Sequence, residues 1–231
     1  MKIDDAVETI AKFFNDLIGA WVPGSVLAIG LILMHLGPGH LQSLAKLSEG
    51  AGIAVTLAGL LFALGHVLLA VYENAIKPLL QRSRLSSAFN EAAAENRQSY
   101  RWFVDLVRAQ QGTGAITWSF HDLRSVALSI SAEAASIGRR FMFVSLLCSG
   151  VGSALLIIGV DYLVCFHLQP ELLYSYKQVP PWFVQAILLF GTALLLFKQG
   201  GAFYSRAMTT PFSVAVAELK LKREDNASSA P

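Results

Sequence analysis

Charge is scarce in this chain. Of its 231 residues 15% are Asp, Glu, Lys or Arg, where an ordinary soluble domain carries roughly 25%. The shortage is concentrated. Residues 17–36, 51–72, 141–160 and 179–197 contain no charged side chain apart from His35 and His66, if protonated. Cysteine is nearly missing too: Cys148 and Cys165 are the whole complement. Both fall on the third apolar stretch, where helical rise separates them by about 25 Å, which excludes an internal disulfide. Two such residues cannot make a metal site alone, so both read as apolar filler. The five histidines, His35, His40, His66, His121 and His167, form no pair at helical spacing. The "GTG" at 112–114 lacks the lysine of a phosphate-binding loop, and no nucleophile elbow occurs. No enzyme, cofactor or metal is expected.

What is present is apolar length. Hydrophobic residues make up 54% of the chain and the mean hydropathy is +0.52. A bilayer crossing needs ~20 apolar residues, and four stretches meet or approach that. The expected class is all-α: a four-transmembrane-helix membrane protein with a cytoplasmic helical hairpin between helices 2 and 3. Residues 1–16 read as an amphipathic arm, 17–72 as spans one and two, 73–140 as the hairpin, 141–197 as spans three and four, and 198–231 as a tail. A cleaved signal peptide is not expected, because Asp4, Asp5 and Glu8 stand where a positive region would be.

Basic residues fix the expected orientation. Lys2 and Lys12 lie on the arm. Lys77, Arg82, Arg84, Arg97, Arg101, Arg108, Arg124, Arg139 and Arg140 lie between spans two and three. Lys198, Arg206, Lys220, Lys222 and Arg223 follow span four, which leaves Lys46 and Lys177 for the other two connections. Sixteen against two places both termini and the central segment in the cytoplasm. The outer connections are short, and Tyr174, Tyr176 and Trp182 suit an aromatic belt.

Within the central segment, "QQGTGA" at 110–115 is a glycine-rich break. No proline follows it until Pro170, which predicts one long helix from about Ser119 to Asp161. A helical pair of this size has little core, so oligomerisation is the expected way to bury its apolar face. Thr210 and Pro211 read as a helix start, although the Val/Ala/Leu alternation after them also suits a strand. "DNASSAP" reads as a disordered end.

Several residues invite a functional reading. Pro23-Gly24, one turn into the first span, is either a bend or a hinge beside a pore mouth. Gly52, Gly59, His66 and Glu73 recur every seven residues and form one stripe on span two. Gly59 and Ala63 add a small-residue pair. Ser145, Gly152 and Gly159 repeat the interval on span three, with Gly150 and Ala154 as a second pair. Small residues mark where helices approach in lipid, so spans two and three are expected to pack on each other or line a subunit interface. His66 is interhelical glue or an ionisable functional group. Asp161 is a solvated cap or part of an acidic ring at a pore mouth. Gln185 and Thr192 share a face of span four and suit interhelical hydrogen bonds. The hairpin mixes Arg97, Arg101, Trp102, Arg108, Trp118, Phe120, His121 and Arg124. Such a mixture can bind a nucleotide or oligonucleotide, or be packed aromatics with arginines near anionic lipid.

Asp16-Leu17-Ile18-Gly19 followed by Pro23-Gly24 resembles the opening of small four-span proteins of bacterial anti-phage systems. That resemblance implies an oligomeric component of the bacterial inner membrane that senses or gates and works with a soluble partner. The layout also resembles proton-driven stator subunits, but their glycine- and threonine-rich motif is missing from "SLLCSGVGSALLIIG" at 145–159. The resulting expectation is an oligomeric membrane effector or sensor, contacting lipid, further copies of itself and a cytoplasmic protein, with an ion-conducting or membrane-perturbing pore gated through its cytoplasmic helical segment as its mode of action. The alternative is a membrane-anchored scaffold that conducts nothing.

Overall fold

The computed structural model describes residues 3–47, 50–85, 88–111, 118–174 and 181–228, and among them the regular structure is entirely helical. The elements are α1 (Ile3–His35), α2 (Gly39–Leu47), α3 (Ala51–Val71), a π-helical turn (Tyr72–Ile76) leading into α4 (Lys77–Arg82), α5 (Glu91–Glu95), α6 (Gln98–Gln111), α7 (Phe120–Ile130), α8 (Ala132–Leu168), a 3-10 turn (Pro170–Leu172) and α9 (Trp182–Ser228). Four stretches are long and apolar enough to cross a membrane: Ile18–His35, Ala51–Arg82, Ala132–Leu168 and Trp182–Leu221. The protein is all-α with four potential spans. The arm is continuous with the first span, because α1 begins at Ile3.

The chain divides into two compact units. One comprises Met1–Ser87 with Phe143–Gly200, the other Ala88–Met142 with Gly201–Pro231. In the first unit α1 and α3 cross with their backbones touching. A Cβ on Gly24 would lie 1.9 Å from the Leu61 carbonyl oxygen, and one on Gly65 would lie 1.7 Å from that of Ala20. Only glycine allows this approach. Pro23 is fully buried and packs on Gly150 of α8, where an added Cβ would lie 2.6 Å from the proline ring. On α8, Gly152 faces Phe197 and Gly159 faces Phe190, both on α9, and the Ser145 hydroxyl donates to the Gly200 carbonyl at 2.8 Å. The stripe on span three therefore seats α9, while Ala154 packs with Leu27, Met34, Leu68, Ile158 and Tyr162. In the π turn, Tyr72 stacks on Phe197 at 5.4 Å, beside Ile76 and, in α4, Leu80.

The stripe on span two does not pack within the chain. A Cβ added at Gly52 or Gly59 would meet nothing within 4 Å, and Ala63, His66 and Glu73 are exposed. The seven-residue recurrence marks a true stripe on the outer side of the helix, and the contact to α1 runs through Gly65 instead. The most apolar part of Ala51–Arg82 is only 11% buried, against 39% for that of Ala132–Leu168. Hence α8 is the hub of this unit and α3 its least buried span.

The second unit corrects three expectations. First, the helix expected from Ser119 to Asp161 is broken at Ser131, which is extended (φ −121°, ψ 114°). Its buried hydroxyl accepts from the Ala134 N–H at 3.0 Å and so caps α8. The start of α7 is fixed by a capping box, in which Ser119 and Asp122 bond reciprocally. Second, the hairpin does not lack a core. Phe103, Phe120, Leu123 and Ala127 bury against Met208, Phe212, Ala215 and Val216 of α9, so the supposed tail completes the module and oligomerisation is not needed for that purpose. Third, Thr210-Pro211 does not start a helix, and the stretch after it is no strand. Both lie inside α9, which continues to Ser228 and so makes the first residues of the end expected to be disordered, 225–228, helical. Most of the glycine-rich break at 110–115, and residues 229–231, lie outside the described residues.

Gly65→Ala should destabilise the first unit by about 1–3 kcal/mol through forced separation of α1 and α3, while Gly59→Ala changes fold stability by under about 0.5 kcal/mol. Thermal melts in detergent followed by circular dichroism make the comparison. Asp122 sits below the usual carboxylate range because the Ser119 hydroxyl and then its N–H donate to it. Its cap therefore stabilises α7 fully above the ordinary carboxyl pKa and fades as pH falls through the lowered folded value. An Asp122→Asn variant should lose that part of the acid dependence in a pH series of melts.

Candidate functional site

At the end of the first span the chain must stop, turn and bring three polar side chains together. Gly37 closes α1 in the left-handed region (φ +82°) and donates its N–H to the Ile32 carbonyl at 3.0 Å. The ring of Tyr174 lies against Gly37, where an added Cβ would be 2.5 Å from it, and the Tyr174 N–H donates to the Met34 carbonyl at 2.8 Å. The segment following α8 is thereby tied to the end of α1. Within it the Leu172 carbonyl accepts from His35 Nδ1 at 3.0 Å, while His35 Nε2 meets Asp161 Oδ2 at 2.7 Å. Cys165, one turn beyond Asp161, places its Sγ 3.8 Å from Oδ1.

Both nitrogens of His35 thus face oxygen. A carbonyl can only accept, so Nδ1 carries hydrogen. A bare Nε2 lone pair against a carboxylate would repel, so a positive species sits between them. The two side chains approach to 2.7 Å, a distance that a shared proton bridges. The site is neither sealed nor bare: the His35 and Asp161 side chains are 28% and 35% exposed, and Cys165 is 6% exposed beneath them. Asp161 is therefore paired, and Cys165, which reads as filler in the sequence, lines a polar cluster. The sequence offers no local signal for this, since the histidine and the acid lie 126 residues apart.

The other candidate residues scatter. Pro23 and Gly24 are buried packing residues. Gln185 is half-buried on α9 while Thr192 is exposed. His66 projects from α3 with its ring edge-on to Phe62 at 4.5 Å.

In the second unit two arginines bond to α9. Arg97 donates to Thr209 Oγ1 at 3.0 Å. Arg124 donates through Nε to the Ala207 carbonyl at 3.2 Å. That carbonyl stands four residues before Pro211, which has no N–H to offer it, so the arginine replaces the missing helical donor. Burial holds the Arg124 guanidinium below the ordinary arginine range, and it remains charged. Trp118 packs on the aromatic core. Arg101 donates to Asn96, and Lys220 stands 4.2 Å over the exposed ring of Trp102. Arg108 and His121 are exposed. The basic and aromatic residues named here therefore form no single patch. Protein-family models, curated proteins and solved structures give no match to this chain.

The Arg124 contact is testable as a cycle. Arg124→Leu should cost about 1–3 kcal/mol by orphaning the Ala207 carbonyl. In a Pro211→Ala background, where the helical N–H returns, the same change should cost clearly less, and the difference between the two melts measures the coupling.

Proposed function

We propose that this protein is an oligomeric effector or sensor of the bacterial inner membrane, with both termini and the helical module in the cytoplasm. The observation that carries the oligomeric reading is the outer face of α3. Gly52, Gly59, His66 and Glu73 form a stripe that is exposed throughout. An imidazole facing lipid is costly, whereas small residues beside it admit another helix closely; Glu73 continues the stripe and is ion-paired with Lys77. Further copies arranged around this stripe would cover the small residues and turn His66 and Glu73 toward a shared polar path. The orientation is supported by the sixteen-to-two distribution of basic residues and by the joining of 88–142 with 201–231 in one unit. The anti-phage setting rests on the resemblance of residues 16–24.

A second reading, a scaffold that recruits a cytoplasmic protein, is favoured by the bonding of Arg97 and Arg124 to α9. With those two committed to α9, binding of a nucleotide or oligonucleotide loses two of its cations. The exposed Arg101, Trp102 and Arg108 better suit a protein partner.

Reconstitution into liposomes separates the two readings. For the effector, a Gly59→Cys variant should form disulfide-linked dimers on oxidation in membranes, and ion flux should change on His66→Ala or Glu73→Gln. A protein that stays monomeric and passes no ions with its partner present is not an effector of this kind.

A further inference from the structure

We propose that His35, Asp161 and Cys165 bind a divalent transition-metal ion of the zinc class at the end of the first and third spans. This site is independent of the oligomer face on α3. The three donor atoms, imidazole nitrogen, carboxylate oxygen and thiol sulfur, all lie within 4.8 Å of one another. Two of them come from one helix at a spacing of four residues, so they share a face of α8, and the third is brought by the end of α1.

The second observation is the tautomer. A metal-ligating histidine almost always gives its other N–H to a carboxylate or backbone carbonyl, which aims the free lone pair at the ion. His35 does this: Nδ1 is held by the Leu172 carbonyl at 3.0 Å, and Nε2 is left facing Asp161. The carbonyl is itself fixed by the 3-10 turn Pro170–Leu172 and by the bond from Tyr174 to Met34. The orienting group is thus built into the fold.

Charge gives a third argument. Neutral imidazole, carboxylate and thiolate together carry two negative charges, which a divalent ion cancels. A neutral assembly is what the margin of a low-dielectric span favours. Binding releases two protons to solvent, one from the His35–Asp161 pair and one from the Cys165 thiol. Nitrogen and sulfur donors select against calcium and magnesium, which take oxygen. Donors around tetrahedral zinc lie about 3.3–3.7 Å apart, given zinc–nitrogen and zinc–sulfur bonds of roughly 2.0 and 2.3 Å. Sγ and Oδ1 are already near that spacing at 3.8 Å. Nε2 lies 2.7 Å from the other oxygen, Oδ2, so binding through a single oxygen requires the side chains to rotate. Three protein ligands leave a fourth position for water, and the partial exposure of His35 and Asp161 gives that position access to solvent.

The test uses the full-length chain in detergent micelles, stripped with chelator, and zinc and cobalt chlorides. Retention of a single zinc ion per chain after desalting is expected, together with a thiolate-to-cobalt absorption band that Cys165→Ser abolishes and Cys148→Ser keeps. His35→Gln and Asp161→Asn should each weaken binding by at least about tenfold. Zinc should also slow maleimide labelling of Cys165 in the wild-type chain relative to Cys148, a readout that requires no variant to fold. The proposal is overturned if the wild-type chain binds no more zinc or cobalt than a triple His35→Gln, Asp161→Asn, Cys165→Ser variant. Labelling of Cys165 that is indifferent to zinc would overturn it too, and would leave a proton as the only cation of the cluster.

Discussion

Where α1 crosses α3, main chain rests on main chain, and the first unit depends on that contact. In lipid there is no hydrophobic drive between helices, because the acyl chains are as apolar as the side chains they would replace. Association must come from close approach. Gly24 and Gly65 supply it reciprocally, each lying against a carbonyl of the other helix. With α1 so placed, Pro23 meets Gly150 and α8 is seated against the same pair. The end of α1 then lies within reach of α8, which is how His35 meets Asp161. A packing contact near one end of the first span and a polar cluster at the other are consequences of one helix being held along its length.

The two internal prolines show that one chemical deficit can be met in different ways. Each removes an N–H from a helix and leaves the carbonyl four residues earlier without its usual donor. Pro211 is answered by a side chain from another helix, Arg124, whose guanidinium replaces the lost amide at Ala207. Thr209 beside it receives Arg97 and donates to Ser205. A charged donor on a backbone carbonyl is stronger than a neutral one, so the proline creates a reason for the hairpin to bind α9 at this turn. Pro23 serves through its shape, as a flat apolar ring on the glycine of α8.

The spans were legible because composition alone reports them: an uncharged run of about twenty residues has few alternatives to crossing a bilayer. The packed face was legible on span three, where Ser145, Gly152 and Gly159 seat α9, and not on span two. Gly52 and Gly59 repeat at the right interval but face outward, whereas Gly65, which carries the contact, belongs to no repeat. Periodicity defines a stripe and leaves its partner unnamed. The break at Ser131 was invisible for a related reason, since serine is tolerated inside helices and acts as a cap only where its hydroxyl accepts from the N–H three residues on, here that of Ala134. The completion of the module by α9 depended on Phe212 and Met208 meeting Phe103 and Phe120 from a distant part of the chain. The candidate site was hidden in the same way. Asp161 could be singled out as an acid at the end of a span, but His35 and Cys165 acquire meaning only when three segments converge.

That convergence bears on how polar groups are distributed in this protein. Polar side chains inside the spans are often returned to their own backbone, as Ser153 is to Ser149 and Thr56 to Gly52. Such bonds satisfy the hydroxyl and leave nothing for a ligand. The His35–Asp161–Cys165 group differs, because its members bond to one another and to a neighbouring segment. Occupancy of the proposed metal site would be linked to the packing of the ends of α1 and α8 against each other. The opposite end of the first span is held by glycine against carbonyl, with no titratable side chain in the contact.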